Sequence, residues 1–256
     1  MAKEIIEYPD FDISGSNKGR TILLLHGTGV TRKMWIPQMV TLSYRYRVIA
    51  PDLLGHGRKK NEVFTFEKAV EELKNLITDN KYGKVLVVGF SLGGYLASEF
   101  VSQYSDMTNG LVLVGSSATP KGFITLPYHL LALLYRFISY RWLARREARL
   151  WRIKYPPEIA EPVISAGFYH CVIPHLEKEI GGKTFLPFLK EYNKPVLIIN
   201  GEKDHIFRNN ERLYHDSIAY LKLVVIERTG HMCNVDKPDE FNKYLIEFAD
   251  SLRWID

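Results

Sequence analysis

Cysteine is scarce in this chain of 256 residues: Cys171 and Cys233 are the two present. Two cysteines are too few for a disulfide framework and suit a reducing compartment, so a cytoplasmic location is expected. No cysteines and histidines fall at metal-ligand spacing, and no metal is expected. Also missing is an apolar run of about 18 residues, which argues against a spanning helix. The opening "MAKEIIEYPDF" carries charges and a proline where a secretory signal needs an apolar stretch, so no such signal is expected. Internal repeats and low-complexity tracts are lacking as well.

What is present is a hydrophobic content of 46% with 25% charged residues, the balance of a soluble globular protein with a substantial core. The net charge is +5 and unevenly placed. Between Lys121 and Pro157 lie eight lysines and arginines against one acid, Glu147, so this segment carries more than the whole excess. Arg141, Arg145, Arg146 and Arg149 read first as a solvated face. Attraction of anionic substrates or contact with an acidic membrane surface is the lesser reading. Basic residues confined to one segment do not amount to a nucleic-acid motif, and no nucleic-acid partner is expected.

Six short runs rich in Val, Ile and Leu punctuate the chain: "TILLLHG", "YRVIAPD", "KVLVVGF", "GLVLVGS", "PVLIING" and "LKLVVIE". Near-continuous hydrophobicity marks strands buried on both faces, hence a largely parallel sheet covered by helices. Helical patterns separate them. In "FTFEKAVEELKNLITDN" the residues Phe66, Ala69, Val70, Leu73, Leu76 and Ile77 recur near a 3.6-residue period. "PDEFNKYLIEFADSLRWI" follows the last strand, with Pro238 suited to a first helical turn. Strands alternating with helices predict an α/β, doubly wound, mostly parallel sheet. "IIEYPDFDISGSN" predicts one or two short antiparallel strands at its edge.

One interval breaks this rhythm. Almost eighty residues separate Ser116 from Pro195, far more than an ordinary connection needs. The reading is a core of residues 1–118 and 194–256, with a helical cap, 119–193, inserted after the sixth strand. Within it, Leu134, Phe137 and Trp142 are candidates for an apolar pocket wall, although packing of a helix face explains the same pattern.

The chemistry-bearing residues stand where strands end. Gly89-Phe90-Ser91-Leu92-Gly93 is G-x-S-x-G on the corner between a strand and a helix. Such a corner projects its side chain from the C-terminal edge of the sheet, where open α/β sheets bind ligands. The next N–H, of Leu92, opens a helix and has no intrahelical acceptor, so it can donate to a developing oxyanion. A serine hydroxyl is a poor nucleophile without a base. His231, after the last strand, is the candidate base. Asp204, three residues past Gly201, is the candidate acid that orients it. Asp236 is near His231 in sequence but is not at a strand end.

Taken together these segments resemble the α/β-hydrolase fold family. The order Ser91, Asp204, His231 is that family's order of nucleophile, acid and histidine. "LLLHGTG" resembles its His-Gly oxyanion loop, and "PDLLGHGRK" its D-x-x-G-x-G-x-S loop with Arg58 where serine is usual. The likeness spans nearly the whole chain apart from the cap. It implies that the backbone N–H of Thr28 is the second oxyanion donor, and that His26, His56 and Arg58 brace loops rather than react. It further implies a serine esterase, a carboxylesterase-like hydrolase with a Ser-His-Asp catalytic triad that needs no metal or organic cofactor and takes a small-molecule ester. Ser91 argues against the haloalkane dehalogenases and epoxide hydrolases of the fold, which use aspartate at that corner. C–C bond hydrolases of aromatic-degradation diketones keep serine and remain an alternative, as does a ligand sensor without turnover.

Overall fold

Both faces of the central strands are apolar, and the protein buries both. In the computed structural model, which describes residues 4–15, 20–116, 138–181 and 183–254, eight strands form one sheet. These are β1 (Ile6–Glu7), β2 (Phe11–Gly15), β3 (Thr21–Leu25), β4 (Arg47–Pro51), β5 (Val85–Phe90), β6 (Thr108–Val114), β7 (Val196–Gly201) and β8 (Leu221–Ile226). Their order across the sheet is β1-β2-β4-β3-β5-β6-β7-β8. β1 and β2 are antiparallel to their neighbours, and all other pairings are parallel. The expected edge strands are therefore β1 and β2.

The helices around the sheet include α1 (Ile36–Leu42), α2 (Phe66–Asp79), α3 (Leu92–Gln103), α4 (Tyr140–Lys154), α5 (Pro157–Ala166), α6 (Ile173–Ile180), α7 (Leu186–Glu191), α8 (His205–Arg208) and α9 (Pro238–Ser251). Thr65 caps α2 by accepting from the Lys68 N–H at 3.2 Å. Pro238 opens α9, where a missing N–H costs nothing.

The period of two sorts the strand side chains into two cores. Leu23, Leu25, Val85, Val87, Leu111 and Leu113 face α2 and α3 on one side of the sheet. Ile22, Leu24, Leu86, Val88, Val112 and Val114 meet Met39, Leu42, Phe241 and Leu245 of α1 and α9 on the other. Of the predicted α2 face, Leu76 alone is only half-buried, at the margin of the apolar stripe.

The described part of the segment read as a cap, 138–181 and 183–193, enters both cores. Trp151, Ala160 and Val163 of α4 and α5, with Tyr155 between the two helices, join the α1–α9 side, and Leu176 and Ile180 of α6 join the α2–α3 side. Leu189 of α7 lies in the same core as α3, and α7 packs against that helix. Leu134 and Phe137 lie outside the described residues. Among the described residues no helix is long and apolar enough to cross a membrane.

Candidate active site

The chain reverses winding direction at β3, which has β4 on one side and β5 on the other. In an open α/β sheet this opens a crevice at the C-terminal strand ends. Ser91 sits there, between the last residue of β5 and the first of α3. Its backbone is at φ 52° and ψ −112°, a conformation that L side chains rarely adopt. The Ser91 N–H donates to the Val114 carbonyl of β6 at 2.8 Å, and its carbonyl accepts from the Gly94 N–H at 2.9 Å. These bonds hold the corner. The flanking glycines are dictated by space. A Cβ at Gly89 would stand 2.2 Å from the Gly93 carbonyl oxygen, and one at Gly93 would stand 2.2 Å from that of Leu25.

Asp204 follows β7 and His231 follows β8, and main-chain bonds lace the two loops together. Glu202 N–H donates to Ile226 O at 3.0 Å and Lys203 N–H to Thr229 O at 2.9 Å. The result is a 2.7 Å bond from the His231 Nδ1–H to Asp204 Oδ2. Asp204 is buried, whereas about a third of His231 is exposed. The imidazole is clamped between Phe207, at 4.5 Å between centroids, and Phe90, at 4.8 Å. Phe90 is the residue before Ser91, so the ring lies beside the strand-to-helix corner. Among the described residues no hydrogen bond yet joins Ser91 Oγ to the imidazole. Such contacts commonly tighten only when substrate binds.

The loop after β3 runs His26-Gly27-Thr28-Gly29, and two buried imidazoles shape it. His26 donates through Nδ1–H to Gly27 O at 2.8 Å and accepts through Nε2 from the Leu53 N–H at 2.9 Å. His56 donates through Nδ1–H to Leu54 O at 3.0 Å and accepts through Nε2 from the Gly29 N–H at 3.0 Å. Burial lowers the His26 pKa to about 4 and the His56 pKa to about 3, so both stay neutral and keep an acceptor nitrogen. The Thr28 N–H lies between the ties at Gly27 and Gly29. The Leu92 N–H opens α3, ahead of that helix's first bond back to Ser91.

The D-x-x-G-x-G loop explains its own departure at Arg58. Asp52 accepts from the Arg58 backbone N–H at 3.2 Å, so the turn does not depend on that side chain. Asp52 also accepts from Arg32 Nη1 at 2.6 Å, and Arg32 Nε reaches Asp12 of β2 at 2.9 Å.

The contacts of Tyr169 and His170, and the part played by Asp236, were not read from the sequence. Tyr169 donates its N–H to Gly29 O at 2.8 Å, and the His170 ring covers Gly29, so the inserted segment touches the loop after β3. Burial lowers the His170 pKa. Asp236 accepts from the Gly230 N–H at 3.2 Å and from the Tyr155 hydroxyl at 2.6 Å, which fixes the turn carrying His231. The signal for Asp236 was its distance of five residues from His231; the signal for Tyr169 was absent, since the insertion carries no motif. Trp142 lies on α4 and is 56% exposed.

A family profile described as the alpha/beta hydrolase family matches residues 22–244, most of the chain. This chain belongs to the alpha/beta hydrolase family. Several curated relatives match more than nine-tenths of it at low identity. It is 25% identical to the 2-hydroxy-6-oxo-6-(2'-aminophenyl)hexa-2,4-dienoic acid hydrolase of Metapseudomonas resinovorans, over 91% of this chain and 85% of that one. It is also 25% identical to the human protein named 1-acylglycerol-3-phosphate O-acyltransferase ABHD5, over 93% of this chain and 79% of that one. Among solved structures, a thermophilic esterase from Thermogutta terrifontis superposes with a TM-score of 0.77 at 24% identity, covering 94% of this chain and 92% of that one. That likeness is one of fold.

Proposed function

We propose that this member of the family is a serine hydrolase that cleaves carboxylic esters of small or medium apolar substrates. The observation that carries the reading is the 2.7 Å bond between Asp204 and His231 at the strand ends beside the strained Ser91 corner. In this reading Ser91 Oγ attacks the ester carbonyl while His231 Nε2 takes its proton. Asp204 holds the Nδ1–H tautomer and stabilises the imidazolium that forms. The Leu92 and Thr28 N–H groups receive the oxyanion, and loss of one such donor costs about 3 kcal/mol of transition-state stabilisation. His231 then protonates the leaving alcohol, and an activated water releases the acid from the acyl-enzyme. No metal or organic cofactor enters these steps.

The Metapseudomonas relative, similar over 91% of the chain, favours a second reading, hydrolysis of a C–C bond beside a carbonyl with the same three residues. A panel of short-chain p-nitrophenyl esters and a vinylogous diketone acid separates the two. The ester reading predicts the higher kcat/KM on the esters. It also predicts that Ser91→Ala lowers kcat at least about a thousandfold with an unchanged circular dichroism spectrum. Ester hydrolysis that survives Ser91→Ala would overturn the mechanism. Acylation without turnover would favour a sensor.

A further inference from the structure

Helix α4 turns two different faces to its surroundings. Leu143 and Trp151 are buried against the protein. On the opposite side Trp142, Arg146, Arg149 and Ile153 follow one another at i, i+4, i+7 and i+11, a single stripe along the helix. Trp142 is 56% exposed and Ile153 73%, and Leu150, beside the stripe, is 45% exposed. A Trp and two aliphatic side chains left in water on one face are unusual company for a charged helix.

The charge on this face is equally unspent. Arg152 is paired with Glu161, and Lys154 with Asp236. Among the described residues Arg141, Arg145, Arg146 and Arg149 are all exposed and form no ion pair. The one acid of the helix, Glu147, is turned away toward His170, 3.9 Å off. Four exposed guanidinium groups, without an ion pair among the described residues, therefore surround exposed apolar side chains.

We propose that this outward face of α4 docks the protein on a bilayer surface that contains anionic phospholipid. Guanidinium groups bind phosphate bidentately, and their alkyl stems lie along the acyl boundary while the head stays wet. Tryptophan favours the same interface, and Leu150 and Ile153 supply the shallow apolar insertion that lipid binding adds to charge attraction. A second copy of the chain is the wrong occupant. A twofold interface would set one group of four free arginines against another. The inference stands apart from the catalytic reading, since docking needs no turnover and Ser91→Ala protein should bind as wild type does.

Co-sedimentation tests it, with vesicles of phosphatidylcholine alone and with about 30% phosphatidylglycerol at about 0.1 M salt. The protein should pellet with the anionic vesicles, remain in solution with the neutral ones, and be released as salt rises. Each arginine should contribute about fivefold to partitioning, so Arg145→Glu with Arg149→Glu should weaken it by more than about tenfold. That double variant should keep wild-type hydrolysis of a soluble ester. Leu150→Ser with Ile153→Ser should weaken binding severalfold. A blue shift of tryptophan emission on the vesicles should vanish in Trp142→Phe. Absence of pelleting on anionic vesicles, equal pelleting on neutral ones, or binding untouched by either double variant would overturn the proposal. A concentration-dependent dimer that Ile153→Ser dissociates would overturn it too, by assigning the face to a second copy. Should the glutamate variant not fold, Arg145→Gln with Arg149→Gln and the wild-type salt titration decide the matter.

Discussion

Ser91 holds a strained backbone conformation. A non-glycine residue held at φ 52° and ψ −112° costs roughly 1–3 kcal/mol, which the bonds to Val114 and Gly94 and the packing of Leu92 sustain. This strain yields a stability test free of any assay. Ordinarily glycine is less stable than alanine, because its unfolded chain has more freedom to lose. At position 91 the order should reverse: Ser91→Gly should unfold at a higher temperature than Ser91→Ala, by the equivalent of about 1 kcal/mol. Equal or inverted melting temperatures would mean that the corner stores no strain. The same residue-level view accounts for Arg58. A motif that asks for serine tolerates arginine because Asp52 reads the backbone N–H at that position.

Among the elements, the loop from His26 to Gly29 gathers the most constraint, and its stability should depend on pH. Both His26 and His56 are kept neutral in the folded state, with pKa values near 4 and 3, whereas in the unfolded chain each takes a proton near 6.5. Above about pH 6.5 the two states bind equal protons and the contribution is full. As pH falls below that value the unfolded state gains protons that the folded state refuses, so stability is lost at about 1.4 kcal/mol per unit for each histidine. Urea unfolding between pH 7 and 5, where most carboxylates stay ionised, should show this decline. A flat profile would contradict the buried neutral pair. The elements also mark where sequence was legible. The strands were, because burial on both faces writes long runs of Val, Ile and Leu. The strand-end positions of Ser91, Asp204 and His231 were, because each follows such a run. The outward turn of Trp142 was not, because a helix pattern with apolar residues on two sides does not say which side the protein covers. The tie from Tyr169 to Gly29 was invisible for a different reason: it is a main-chain bond between segments far apart in sequence, and no side chain announces it.

At the scale of the whole molecule, one sheet edge collects everything the proposed chemistry needs. The order β3-β5-β6-β7-β8 sets the ends of β5, β7 and β8 along a single rim, and the reversal of winding at β3 brings the His26–Gly29 loop to that rim as well. Arg32, Asp12 and Asp52 fasten the antiparallel β1–β2 edge to the loop after β4 through buried ion pairs. The described part of the segment read from sequence as a cap contributes side chains to both cores, and it meets the rim through Tyr169 and His170 while presenting the arginine face of α4 outward. In the proposed mechanism Ser91 is the nucleophile of this rim. Peptide mapping by mass spectrometry after treatment with a fluorophosphonate locates that nucleophile. One covalent adduct is expected, on Ser91, formed much more slowly in His231→Ala and absent in Ser91→Ala. An adduct on another residue, or undiminished labelling of Ser91→Ala, would contradict it.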